Sequence, residues 1–381
     1  MNEVITNWRV IEGPLDATPE DVGMDSSQLN KLDKHFEQLV KQEKIQGASY
    51  LVSRHGKIVA SRSMGVLNGV TQEGELAPDS IRNLSSITKM FTAISIVKLI
   101  EDGKLFIDQP VATILSEFDN PTHQNITIFN LLTHTSGIMP VNGYFNEPYP
   151  RQWWGAHGTD DWIRKVLTGT LVCQPGEAYN YSTMGFALLG EIINRVSGIS
   201  YEDYVIENII TPLNLKRSFF QVPQNLHSEV LAVVQYDIDH LNKETVEGDV
   251  RPPKSDSGLY STLFDLWKVG QMLLNGGTFE GERILGRKSV ELLTKRHLFN
   301  VPAYHWGGKI KDKGHALGID LAIDHLSYES IGTYQMEGAG RSAIFVDPVE
   351  DLVVTFFVPS IYSWVPLSVL GTKQIIWSSL K

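Results

Sequence analysis

The pattern of apolar and polar positions divides the chain into three parts. From Asp25, "DSSQLNKLDKHFEQLVKQEKI" places apolar residues at Leu29, Leu32, Phe36, Leu39 and Val40. That is the spacing of an amphipathic helix, with Asp25 or Ser26 as its cap. "GASYLVSRHGKIVASRSMG" then sets two apolar runs around Arg54-His55-Gly56-Lys57, which predicts a hairpin. The far end repeats these features in reverse order. "SAIFVDPVEDLVVTFFVPS" reads as two strands around an Asp-Pro turn, and "SVLGTKQIIWSSL" as a closing helix. Between the ends, helical patches alternate with long loops. The fold class expected is mixed α/β (α+β), with an antiparallel sheet built from both chain ends and flanked by helices. Residues 1–85 and 278–381 would form the sheet domain. Residues 86–277 would form an inserted, mostly helical region, and the cleft between the two is the expected ligand site.

Composition narrows the function. Hydrophobic residues make up 42% of the 381, enough for a sizeable core. The 33 basic and 44 acidic residues leave a net charge of −11, so the chain gains nothing from counterion release and nucleic acid is not an expected partner. Cys173 is the one cysteine, so no intramolecular disulfide can form. The eleven histidines show no metal-ligand spacing, and no phosphate-binding glycine loop is present. No metal or cofactor is expected. No apolar stretch approaches the roughly 18 residues of a membrane span, and "MNEVITNWRVIEG" does not read as a signal peptide. The expectation is a soluble, cytoplasmic protein of unknown oligomeric state.

The chemistry begins at "NLSSITKMFTA", residues 83–93. A helix is expected from about Ser86 to Glu101, with Ile87, Phe91, Ile94, Val97 and Leu99 as apolar positions and Gly103 as its stop. Ser-x-x-Lys occurs twice in it, at Ser86/Lys89 and Ser95/Lys98, so the pattern alone decides little. Position separates the copies. Ser95 is mid-helix, where its hydroxyl bonds back to a carbonyl. Ser86 is at the start, where unpaired N–H groups and the positive dipole end favour an oxyanion. Lys89 lies one turn on, on the same face. A buried amine can take a proton from a serine, which makes Ser86 a candidate nucleophile and Ser85 the better cap. A plain capping role for both serines is the alternative.

From Ser86-Ile87-Thr88-Lys89 onward the chain resembles the serine hydrolases with a class C β-lactamase fold. These include β-lactamases, penicillin-binding carboxypeptidases and family VIII carboxylesterases, the last being the nearest likeness. "ITIFNLLTHTSGI", "CQPGEAYNYSTMGFALLGEII" and "DSGLYSTLFDLWKVGQMLLNGG" follow in the family's order, and "TPEDVGMDSSQLNKLDKHF" resembles its first helix. The resemblance implies Tyr181 as the phenol that helps move the Ser86 proton, with Tyr179 as a competitor two residues earlier. It implies an oxyanion hole from the backbone N–H groups of Ser86 and Ala339. It makes His134 structural rather than a general base. Two departures are visible. Thr183 stands where the family usually has asparagine. Met336-Glu337-Gly338 stands where β-lactamases have Lys-Thr-Gly. Gly338 still allows close approach of substrate to the strand. Met336 offers no charge to a substrate carboxylate, though it can equally be a packing residue. In the long loop "YFNEPYPRQWWGAHG", Trp153 and Trp154 would either wall an acyl pocket or pin the loop to the core.

The expected activity is cleavage of carboxylic esters through an acyl-enzyme, on a small-molecule ester or β-lactam-like substrate. A β-lactamase or D-alanyl-D-alanine carboxypeptidase is the alternative. A non-catalytic penicillin-binding-like protein is the rival from outside the enzymes.

Overall fold

The computed structural model describes residues 9–138, 162–167, 170–241, 252–305, 308–324, 326–339, 342–361 and 365–381. The principal sheet is antiparallel and draws on both chain ends. Its strands are β1 (Ile11–Glu12), β2 (Gly47–Arg54), β3 (Lys57–Asn68), β4 (Glu73–Glu75), β5 (Asp320–Leu321), β6 (Tyr334–Gly338), β7 (Ser342–Asp347) and β8 (Leu352–Phe357). They run in the order β1-β3-β2-β8-β7-β6-β5, and β4 pairs with β3. The β2–β8 pairing (Leu51 opposite Thr355) joins the two ends of the chain at the sheet's centre. The β2–β3 hairpin closes through His55 and Gly56, both at positive φ. That is the backbone a two-residue hairpin loop requires. The β7–β8 connection is held by Asp347, whose Oδ1 accepts the N–H groups of Val349 and Glu350.

Every residue of β2, β7 and β8 is buried. Alternation survives as a choice between two apolar layers rather than between oil and water. Ala343, Phe345, Val354 and Phe356 pack toward α1 (Lys31–Lys41) and the closing helix, through Leu32, Phe36, Leu39 and Trp377. Ile344, Val346, Val353 and Phe357 face the other layer, with Phe91, Phe186, Leu266 and Val269. That layer contains α2 (Thr88–Glu101), α3 (Thr183–Ser197) and α4 (Leu263–Leu274). The closing helix is α5 (Pro366–Trp377).

Two local expectations differ from the structure. The first helix is broken at Asn30. Asp25 caps a short turn, Ser26–Leu29, by accepting from the N–H groups of Ser27 and Gln28, and α1 starts afresh at Lys31. Nor does the second helix begin at Ser86. A 3₁₀ turn, Ser85–Ile87, precedes α2. Among the described residues no helix is long and apolar enough to cross a membrane.

Candidate active site

Helix α2 is buried almost all round, from Thr88 to Val97, which marks a core helix rather than a surface one. Lys89 is on it and is fully buried. Such a residue needs partners for its donors. Its Nζ lies 3.2 Å from Ser86 Oγ and donates to the carbonyl of Asp256 at 2.8 Å. It also lies 5.0 Å from the centre of the Tyr181 ring, within cation–π range. The Tyr181 hydroxyl is 2.8 Å from Ser86 Oγ. Ser86, Lys89 and Tyr181 therefore meet around one oxygen, and Ser86 itself is only half-buried.

The 3₁₀ turn aims Ser86. Leu84 N–H donates to the carbonyl of Leu259, and Leu259 N–H donates to Thr88 Oγ1, so one segment holds the turn at both ends. Ser85 takes φ +48°, a left-handed conformation uncommon for a residue with a side chain. It does not cap α2, contrary to expectation. Its N–H donates to Asn83 Oδ1, and its hydroxyl donates to the carbonyl of Ala339 at 3.3 Å. The turn bearing Ser86 is thereby tied to the end of β6, where Gly338 and Ala339 follow one another.

Tyr181 is set by His134. The carbonyl of His134 accepts from the N–H of Asn180, and its Nδ1 accepts from the N–H of Ser182. The two bonds clamp the chain on either side of Tyr181, and the two rings lie 4.5 Å apart between centres. His134 is buried at φ +56°. Burial, then His315 and Lys89, holds its imidazole well below the ordinary 6.5. A neutral ring keeps Nδ1 free to accept. Tyr179, the competitor, is buried on a short strand and packs against His134 and His315. Ser95 donates back to the carbonyl of Phe91 at 2.9 Å, the mid-helix bond expected of it.

Of the remaining sequence candidates, Thr183 opens α3 and is half-buried, directly after the cap residue Ser182. Met336 is on β6, 6% exposed and part of the main core. Gly338 ends β6 against the turn that carries Ser86. Trp153 and Trp154 lie outside the described residues, as does Arg341, the first cationic residue after Met336 in the sequence. Sequence reasoning missed Asp256, the acceptor for Lys89. It also missed the clamp made by His134, since neither contact leaves a spacing signal.

Comparison with known proteins identifies the family and the fold. The Beta-lactamase family model matches residues 32–362. An uncharacterized protein of Mycobacterium tuberculosis (strain CDC 1551 / Oshkosh) is 26% identical over 351 residues, covering 82% of this chain and 86% of the relative. Protein flp of Staphylococcus aureus (strain N315) is 30% identical over 198 residues, 51% of this chain and 39% of its own length. Among solved structures, a class C beta-lactamase aligns with TM-score 0.74 at 17% identity, over 94% of this chain and 97% of that one. A family VIII carboxylesterase aligns with TM-score 0.72 at 18% identity, over 97% and 100%. At such identities the structural likeness speaks for the fold, while the family match spans most of the sequence: this chain belongs to the beta-lactamase family.

Proposed function

We propose that this protein is a serine hydrolase that cleaves carboxylic esters through an acyl-enzyme. The observation that carries the reading is the convergence of Lys89 Nζ and the Tyr181 hydroxyl on Ser86 Oγ, at 3.2 and 2.8 Å. Ser86 Oγ attacks the ester carbonyl carbon, and its proton passes to the Tyr181–Lys89 pair. The N–H groups of Ser86 and Ala339 hold the tetrahedral oxyanion. The carbon–oxygen bond to the leaving group then breaks, and the proton leaves with the alcohol. Water attacks the acyl-enzyme, gives a proton to the same pair and releases the acid. That proton returns to Ser86 Oγ.

The ester preference rests on β6. Met336 supplies no cation for a substrate carboxylate, whereas a neutral ester needs none. Thr183, two residues after Tyr181 at the start of α3, and Gly338, against the turn that carries Ser86, are the substrate-binding candidates, and a small neutral molecule is the substrate class.

Fluorophosphonate labelling, with the modified residue mapped by mass spectrometry, tests this. Labelling at Ser86 that benzylpenicillin does not block is the expected result. Labelling that the β-lactam blocks, followed by its turnover, would favour a β-lactamase. Blockade without turnover would favour a carboxypeptidase or a penicillin-binding role. Absence of labelling would overturn the nucleophile.

A further inference from the structure

A buried acid stands beside this site with no part in the reaction as written. Asp256 is 4% exposed. It lies on a strap, residues 253–257, wedged between α2 and α3. Thr92 Oγ1 of α2 donates to the carbonyl of Ser255 at 2.6 Å, and Ser255 Oγ donates to the carbonyl of Phe186 of α3 at 2.9 Å. The strap presses on α3 at Gly190, where a Cβ would meet Ser255 Oγ at 2.3 Å. A backbone held this way has little freedom. The Asp256 carbonyl that takes the Lys89 amine is therefore a fixed acceptor.

The side chain is the unexplained part. Ser257 Oγ donates to Asp256 Oδ2 at 2.8 Å. The charged group that attracts this carboxylate is Lys89, from α2. From the neighbouring helix Tyr201–Val205, Tyr201 is fully buried, bonds Thr92 and feels both Asp256 and Glu202. Glu202 is itself engaged by the N–H of Lys254. Burial lifts the Asp256 carboxyl above the ordinary range, and Lys89 draws it partly back. A carboxylate in such a place lowers stability, so packing does not account for it. Its field falls on the amine that touches the nucleophile.

We propose that Asp256 is a positioning residue for the Ser86 nucleophile: its peptide oxygen fixes the Lys89 amine, and its carboxylate balances the positive charge on Lys89 while Lys89 and Tyr181 hold the Ser86 proton. The proposal rests on Ser86 being the nucleophile. During acylation the Ser86 O–H bond breaks, the Oγ–C bond forms and the proton departs with the alcohol. Asp256 gains and loses no atom.

Asp256→Asn keeps the shape, the peptide oxygen and an acceptor for Ser257, and removes only the charge. The test measures the rate of fluorophosphonate labelling at Ser86 from pH 5 to 9, together with Tm. The labelling rate of Asp256→Asn at pH 7 should fall by about tenfold or more. The wild-type rate should drop on acidification as the carboxylate is protonated, and this acid limb should be flattened in the variant. Tm should hold or rise. The folded Asp256 value lies above its unfolded one. Its favourable contribution is therefore complete below the ordinary carboxylate value and is lost as pH rises through the raised folded one, so that once ionised the charge opposes folding. A merely structural residue would lose Tm along with rate. Unchanged labelling across the range, or a rate loss with a matching fall in Tm, would overturn the proposal. Should Asp256→Asn fail to fold, Asp256→Ser is read in the same way. Failure of both to fold also overturns it, because the fold is held not to need the charge. An unlabelled wild type would instead refute the nucleophile itself.

Discussion

Gly338 and Leu84 meet backbone to backbone: a Cβ on Gly338 would lie 2.2 Å from the Leu84 carbonyl oxygen. No real Cβ approaches an oxygen so closely, so any side chain here must push the end of β6 away from the turn that carries Ser86. The glycine is needed for proximity. It lets the end of β6 lie against the turn that carries Ser86, where the Ser85 hydroxyl also donates to the Ala339 carbonyl.

Gly338→Ala should therefore lower kcat on short-chain p-nitrophenyl esters by ~10²-fold, the scale of a 1 Å misplacement in an active site. Fluorophosphonate labelling should slow in parallel. Steady-state kinetics with Tm as the folding control checks this, and wild-type kcat in the variant would detach β6 from the chemistry.

The duplicate Ser-x-x-Lys gives an internal control. Ser86→Ala should abolish ester turnover. Ser95→Ala loses one helix back-bond in the core and should keep activity near wild type, with a stability change within ~1 kcal/mol. Equal losses in two folded variants would remove Ser86 from its role.

Lys89 and Tyr181 converge on one oxygen, so they should behave as one unit. Lys89→Met and Tyr181→Phe should each lower kcat by ~10²-fold or more. The double variant should be little worse than the poorer single one. A fully multiplicative loss would mean that the two side chains act independently.

The sequence made the sheet and the meeting of Ser86 with Lys89 readable for different reasons. Apolar runs with Arg54-His55-Gly56-Lys57 and Asp347-Pro348 turns specify hairpins locally, and both ends carry them. Ser86 and Lys89 were legible as neighbours because residues three apart come together in a 3₁₀ turn running into a helix as they do in a helix. Ser85 was misread because a capping serine and a serine at positive φ look alike in a string of letters. Its conformation is set by Leu259 and Ala339, far away along the chain. Asp256 and Lys89 are 167 residues apart, and their contact runs through a peptide carbonyl, which any residue type supplies. His134 was placed as structural by resemblance. Its grip on residues 180 and 182 depends on a left-handed backbone that no spacing reveals.

That grip implies a pH dependence of stability. The folded His134 imidazole lies below its ordinary value of 6.5. Between the two values the unfolded chain binds the extra proton, so stability rises with pH there. The contribution is complete above about pH 6.5 and is lost as pH falls toward the folded value. Tm should decline on acidification from pH 7 to 5, and His134→Asn should show a shallower decline alongside a lower kcat. A slope equal to wild type in the variant would assign the acid sensitivity to other groups.

The proposed ester preference makes β6 the place to test substrate class. A β-lactam carries a carboxylate that must shed water on binding, and without a partner that desolvation costs several kcal/mol. Met336 is an apolar side chain packed in the core at 6% exposure, and it cannot supply the missing charge. Neutral esters should therefore exceed nitrocefin by at least ~10²-fold in kcat/KM, equivalent to about 2.7 kcal/mol of transition-state free energy. Met336→Lys should narrow that gap by improving nitrocefin alone. Its amine must extend along the strand to reach the cleft, so a lower Tm is expected as well. Arg341, three residues beyond Gly338, is the other cation this segment can offer. Kinetics of both substrates on wild type, Met336→Lys and Arg341→Ala separate the two sources of charge. Efficient nitrocefin hydrolysis by the wild type that collapses in Arg341→Ala would replace the esterase reading with a β-lactamase one. A wild type that strongly prefers esters, with Arg341→Ala unchanged, would leave Met336 as the residue that excludes the charged substrate.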